Sequence, residues 1–339
     1  MGSDRHSGTA QLVGVDWIGR SLGQLFTDSA RVDASGEPPK ASEFNHLELE
    51  EIDINLFRAK KEDLWLGPSP TKRSTLYGGQ LIGQALAAAS RSVKRDSGKS
   101  LHSLHAYFLN PGTNQDSVVY QVLPVNDGRS FATRWVIAQQ RGVPIFTLQA
   151  SYQIPEPSPL NHQITMPKVP MPETVPTEAE RYRRIHDDER CPEPLKKVLL
   201  QRINRPNPID VRYVESLDYF GGPRTDPPVQ IVWMKTKERL VDDPIVHASV
   251  IAYCSDLTLL ATVRGSQSAL DISMVASLDH SMWFHQRCRA DEWLLYVTTS
   301  PRAIGGRGLA TGKIFDSTGV LCVSVAQEGL MRFKTNNKL

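Results

Sequence analysis

Residues 247–260, His-Ala-Ser-Val-Ile-Ala-Tyr-Cys-Ser-Asp-Leu-Thr-Leu-Leu, constrain this chain more than any other stretch. Val250, Ile251, Cys254, Leu257 and Leu260 recur at intervals of three and four, with Ala252, Tyr253 and Leu259 on the flanks, so a helix over these residues is apolar nearly all round. Such a helix is buried, and the rest of the fold must wrap it. It carries one formal charge, Asp256. A carboxylate taken out of water without partners costs several kcal/mol, so something must face Asp256: a backbone amide or arginine of a structural network, or the groups of a working site.

With 339 residues, 40% of them apolar, the chain can bury one large or two ordinary cores. Lys plus Arg of 39 against Asp plus Glu of 37 leaves +2, with the signs interspersed, which is no nucleic-acid footprint. The cysteines, Cys191, Cys254, Cys288 and Cys322, show no paired spacing, so neither a zinc site nor a disulfide framework is expected and a reduced intracellular compartment fits. No uninterrupted apolar run approaches the length of a membrane span, and the N-terminus lacks the order of a secretory signal. A soluble protein is expected. The last residues, Asn337-Lys338-Leu339, keep the Lys-Leu of the Ser-Lys-Leu peroxisomal address and change its first residue.

Residues 1–43, rich in Gly, Ser, Asp and Pro, read as a mobile tail. From Leu47 an alternating run to Phe57 predicts a strand that opens a first domain at 44–154. Tyr77-Gly78-Gly79-Gln80 leads into an Ala-rich helix through Ser90, and strands are predicted over 117–125, 131–139 and 143–153, separated by Asn126-Asp127-Gly128 and Arg141-Gly142 turns. Eleven prolines between 155 and 208 predict a linker with one exposed helix. A second domain at 209–335 then repeats the order: a strand at 229–236, the apolar helix, and strands at 277–285, 293–299, 308–315 and 320–327. Residues 336–339 form a C-terminal tail. Each half is an α+β unit in which a curved antiparallel sheet wraps its helix. Laying the strands together from Gly142 and Gly319 sets Gln327 against Ala150, and laying the two apolar helices together sets Asp256 within the Ala87–Ala89 run. The first half then lacks the polar groups of the second, and a carboxylate needed only for packing would be expected in both.

Five blocks carry a resemblance: Tyr-Gly-Gly-Gln at 77–80, Tyr-Cys-Ser-Asp-Leu at 253–257, Ser-Leu-Asp-His-Ser-Met-Trp-Phe-His at 277–285, Asp-Glu-Trp-Leu-Leu-Tyr at 291–296 and Val-Ala-Gln-Glu-Gly-Leu-Met-Arg at 325–332. In this order, over residues 47–333, the chain resembles the type II acyl-CoA thioesterases, the bacterial TesB and peroxisomal enzymes. The resemblance implies a double hot-dog fold and hydrolysis of fatty acyl-CoA to free acid and CoA, without metal or organic cofactor. It also implies catalytic roles for Asp256, Ser277 and Gln327 and a homodimer or higher homo-oligomer; the ending Asn337-Lys338-Leu339 departs from Ser-Lys-Leu in its first residue and is the candidate address for a peroxisomal import receptor, with the cytoplasm as the alternative compartment.

Hydrolysing a thioester needs a water near the carbonyl carbon, a group to take its proton, and donors for the oxyanion. Asp256 fits the base, Ser277 and Gln327 the groups that orient it and the water, and the amides of Gly78 and Gly79 are candidate oxyanion donors. Ser277 as covalent nucleophile is the enzymatic alternative, but no Gly-x-Ser-x-Gly elbow surrounds it. A non-catalytic acyl-CoA binding or scaffold protein is the alternative function; absence of Asp256 or Gln327 would favour it. His280 and His285 read equally as polar strand residues, and the glycines at 305, 306 and 308 as a strand-end bend.

Overall fold

The computed structural model describes residues 47–66, 75–204, 207–215, 218–222 and 226–334. The expected tail over 1–43 and the Asn337-Lys338-Leu339 signal therefore lie outside the described residues.

Among the described residues, thirteen strands form a single antiparallel sheet. The first half supplies β1 (Glu50–Asp53), β2 (Leu56–Ala59), β3 (Ser100–Phe108), β4 (Val118–Asp127), β5 (Phe131–Gln140) and β6 (Val143–Gln153). The second supplies β7 (Ile209–Glu215), β8 (Val229–Thr236), β9 (Ile272–Ser277), β10 (Asp279–Phe284), β11 (Leu294–Ile304), β12 (Arg307–Asp316) and β13 (Leu321–Phe333). Their order is β1-β2-β4-β5-β6-β3-β10-β13-β12-β11-β8-β7, with β9 also paired to β13. Read outward from the β3–β10 seam, the two sides match strand for strand. This is the double hot-dog architecture, and the seam, where Leu104 faces Met282, is buried in its core.

Helix α1 (Gly78–Arg91) and helix α4 (Pro244–Ser255) lie inside this sheet, one from each half. The small residues of α1 face α4 directly. A Cβ on Gly79 would stand 2.2 Å from the carbonyl oxygen of Tyr253, and one on Gly83 would stand 2.8 Å from that of Ser249. Only hydrogen at both positions lets the two backbones run this close. The 20-residue stretch Pro244–Val263, which begins with α4, is also apolar enough to cross a bilayer by length and composition. Its burial against α1 and the sheet accounts for that composition.

Several expectations are corrected. The helix predicted through Leu260 stops at Ser255, and a short helix α5 (Leu259–Val263) follows, so Asp256 caps a helix rather than sitting within one. The strand predicted over 47–57 is a hairpin, with Asn55 turning at φ 57°. The strand over 277–285 breaks at Leu278. Strands β3 and β7 were not anticipated, although β3 is the centre of the sheet. The linker holds two helices, α2 (Glu178–Asp187) and α3 (Glu193–Asn204); α2 starts with a capping box in which Thr177 and Glu180 bond reciprocally. The first half is not bare of buried polar groups either. Arg134, 1% exposed, binds the Ser92 hydroxyl and carbonyl and Asp127. Ser92 caps α1 as Asp256 caps α4, so the helix ends pair Asp256 with Ser92 rather than with Ala87–Ala89.

Candidate active site

Asp256 is held where the C-terminus of α4 meets the N-terminus of α1. The helix is started firmly: Asp243 accepts the Ile245 N–H at 2.8 Å, and Pro244 occupies the first turn. Its end has no glycine or proline. Instead Leu257 N–H closes a tight turn onto Cys254 O at 3.1 Å, and the Ser255 hydroxyl turns toward the sheet, 2.9 Å from His280 Nε2. The carboxylate then turns to α1, whose own N-cap, Tyr77, supplies no side-chain cap. Gly79 N–H donates to Asp256 Oδ2 at 3.0 Å. A side chain from the second half thus fills the capping position of the first half's helix, at the positive end of its dipole.

Ser277 and Gln327 reach the same point from the sheet. Gln327 falls at an inward position of β13, in the alternation Val323, Val325, Gln327, and is fully buried. Ser277 reaches inward because of the break at Leu278. Leu278 N–H donates to Glu328 O and Leu278 O accepts from Phe108 N–H, both at 2.9 Å, so the chain shifts by one residue between β9 and β10. Such irregularities re-aim a side chain. The Gln327 Nε2 donates to Asp256 Oδ1 at 3.0 Å and to Ser277 Oγ at 3.1 Å. The three residues singled out in the sequence are therefore joined by one amide group.

The protein surrounds the Asp256 carboxylate yet leaves the residue partly open to solvent. Burial pushes its pKa up from 3.8 to about 6, against the lowering effect of the bonds from Gln327 and Gly79. Around it, Tyr77 and Tyr296 donate to the carbonyls of Tyr253 and Ser255 at 2.9 and 2.7 Å, and burial holds both phenols well above their ordinary range. Gly78 keeps one side of the carboxylate clear, because a Cβ there would lie 2.7 Å from Asp256 Oδ2. Among the described residues no group of three His, Cys, Asp or Glu side chains is placed to hold a metal ion.

An acyl-CoA thioesterase profile matches residues 199–330, and an acyl-CoA thioesterase N-terminal domain profile matches residues 67–153. Acyl-coenzyme A thioesterase 8 of Homo sapiens is 40% identical over 294 residues, covering 85% of this chain and 88% of the human one. The chain belongs to the acyl-CoA thioesterase family. Acyl-CoA thioesterase 2 of Haemophilus influenzae is 36% identical over 85% of this chain and 96% of its own. Among solved structures, the acyl-CoA thioesterase II TesB2 of Mycobacterium marinum superposes with a TM-score of 0.66 at 35% identity, over 87% of this chain and 98% of its own. A hot-dog protein of Alicyclobacillus acidocaldarius, 18% identical over 86% of this chain and 98% of its own, shares the fold at a TM-score of 0.62.

In this acyl-CoA thioesterase chain the glycine pair has a different position from the one expected. The Gly79 N–H is occupied by Asp256, which leaves Gly78 as the oxyanion candidate. Gly305 and Gly306 form the β11–β12 turn at φ 61° and 72°. His280 was missed as a neighbour of the site. A histidine at an inward strand position has no pattern of its own, yet it is fully buried and bonded to Gln327 Oε1.

Proposed function

We propose that this protein hydrolyses fatty acyl-CoA to the free fatty acid and CoA, with Asp256 as general base. The observation that carries the reading is the Gln327 amide, which bonds Asp256 and Ser277 together. Asp256 removes a proton from a water while its oxygen attacks the thioester carbonyl carbon. Both carboxylate oxygens already accept one bond and each keeps a lone pair for that proton. Ser277, whose oxygen accepts from Gln327, keeps its hydrogen and one lone pair to hold the water. The first N–H groups of a helix have no partner within it, so Gly78 N–H at the start of α1 stabilises the oxyanion. As the tetrahedral intermediate collapses, the C–S bond breaks and the CoA thiolate takes the proton from Asp256.

The halves at 44–154 and 209–335 are two hot-dog units, and the second supplies the reacting side chains. The first contributes the start of α1. Exposed Tyr107, Trp135 and Trp283, at 61%, 42% and 39%, lie on β3, β5 and β10 and fit a homodimer or higher homo-oligomer, to be read by light scattering. A relative from Saccharomyces cerevisiae, 27% identical over 330 residues, is named peroxisomal acyl-coenzyme A thioester hydrolase 1. The same compartment suits this chain, with an import receptor reading Asn337-Lys338-Leu339; a fluorescent fusion with and without these residues tests it.

The function is tested by CoA release from acyl-CoAs of graded chain length. Gln327→Ala and Ser277→Ala are each expected to lower kcat by about tenfold to a hundredfold, with KM changed far less, since their bonds serve the reaction rather than substrate binding. Wild-type protein that releases no CoA from any of them would return the reading to a binding protein.

A further inference from the structure

The His280 ring is clasped at both nitrogens. Its Nε2 lies 2.9 Å from Ser255 Oγ and its Nδ1 contacts Gln327 Oε1. An amide oxygen only accepts, so Nδ1 carries the hydrogen; the buried ring, pushed down to about 4, is neutral, and its Nε2 accepts from Ser255. The direction of every bond follows. Ser255 donates to His280, His280 to Gln327, and Gln327 Nε2 to Asp256 and Ser277. An amide turned the other way would set Oε1 against the Asp256 carboxylate.

Packing does not require this histidine. Counting back four residues from Phe108 and from Phe284 makes Leu104 the counterpart of His280. Leu104 pairs with Ala150, and His280 stands across from Gln327, because Ser281 pairs with Ala326. One fold thus fills the same place with a buried apolar pair in its first half and a buried polar pair in its second. Burying an imidazole costs desolvation that leucine avoids, so its hydrogen bonds are the reason for it.

We propose that His280 is a positioning residue for thioester hydrolysis, fixing the Gln327 amide with its nitrogen toward Asp256 and Ser277. This rests on Asp256 acting as the base. Around Asp256 and the end of α4, burial keeps Tyr77, Tyr296 and Cys254 protonated, while Asp279, next to His280 on its strand, is tied to the Glu328 N–H at 2.9 Å. Asp256 is then the group whose ionisation His280 influences through Gln327.

The test compares His280→Leu, which restores the side chain of the first half, with His280→Asn, whose amide N–H can stand in for Nδ1–H. His280→Leu is expected to lower kcat by about tenfold or more with little change in KM, and to move the acidic limb of the pH–rate profile upward because Asp256 loses a fixed donor. His280→Asn should recover most of the rate, and His280→Leu should cost less than about twofold further once Gln327→Ala is present. Wild-type kinetics in a folded His280→Leu protein, an Asn variant as impaired as the Leu one, or full additivity with Gln327→Ala would overturn the proposal. If His280→Leu does not fold, nitrogen-15 NMR of the wild type decides: a neutral ring protonated at Nδ1 is expected, and one protonated at Nε2 overturns it. No CoA release by the wild type, or an unimpaired Asp256→Asn, would instead defeat the reading on which this depends.

Discussion

Asp256→Asn is expected to lower kcat for acyl-CoA hydrolysis by about a hundredfold or more while leaving the protein folded. Asn keeps the shape and an oxygen for the Gly79 N–H, but it cannot take a proton from water. A second signature lies in stability. The folded-state pKa of Asp256, about 6, is above the ordinary 3.8, so the folded protein binds this proton more tightly than the unfolded chain does. Its favourable contribution is complete below 3.8 and is lost as pH rises through 6. Above that the ionised group costs about 2 kcal/mol, a figure reduced for its partial opening to solvent. The stability of Asp256→Asn relative to wild type should therefore rise by about 2 kcal/mol between pH 4 and pH 7, as read from urea unfolding at each pH. His280 has the opposite sign, its stabilisation being lost as pH falls from 6.5 toward 4. It is present in both proteins and drops out of the difference. A flat difference would mean that Asp256 is an ordinary exposed carboxylate.

Gly79→Ala should give the largest loss of stability, about 3 kcal/mol. Its Cβ would stand 2.2 Å from the Tyr253 carbonyl, and that neighbour is helix backbone, which cannot swing aside. Relief requires α1 and α4 to separate, which also draws the Gly79 N–H away from Asp256. Gly78→Ala separates the two effects. Its Cβ meets Asp256 Oδ2 at 2.7 Å and the Phe108 ring at 3.0 Å, both side chains that can move. It should unfold near the wild-type midpoint and yet lose about tenfold or more in kcat, because it fills the space beside the carboxylate. Equal stability losses in the two variants would show that the close contact of the helices is not what the glycines serve.

These expectations depend unequally on what a sequence reveals. The buried helix and the meanders of each half were legible, because apolar periodicity and Asn-Asp-Gly or Arg-Gly turns are local signals. The end of α4 was not, since it is set by a tight turn of Leu257 onto Cys254 and by a carboxylate drawn to another helix. Strand β3, Ser-Leu-His-Ser-Leu-His-Ala-Tyr-Phe, has no β-branched residue, and its central place comes from pairing with β6 and β10. The start of α2 was written in Thr177 and Glu180 but obscured by the surrounding prolines. Asp256 stood out as a lone charge in an apolar stretch. Gln327 showed as a polar residue opposite Ala150 of the first half and took its role from the family resemblance, whereas Ser277 came from that resemblance alone, for no periodicity could show that a break at Leu278 turns Ser277 inward. His280 stayed hidden because its meaning lies in the atoms it touches.

The most direct test of Asp256 as the base is the pH dependence of kcat/KM for wild type and Asp256→Asn on one long-chain acyl-CoA, measured side by side from pH 4.5 to 9. The wild type should lose activity as pH falls through about 6, where the carboxylate takes up its proton. Asp256→Asn should lie about a hundredfold lower at neutral pH and lack that limb. A mutant that matches the wild type in both rate and profile would contradict water activation by Asp256 and leave the residue as a cap for helix α1.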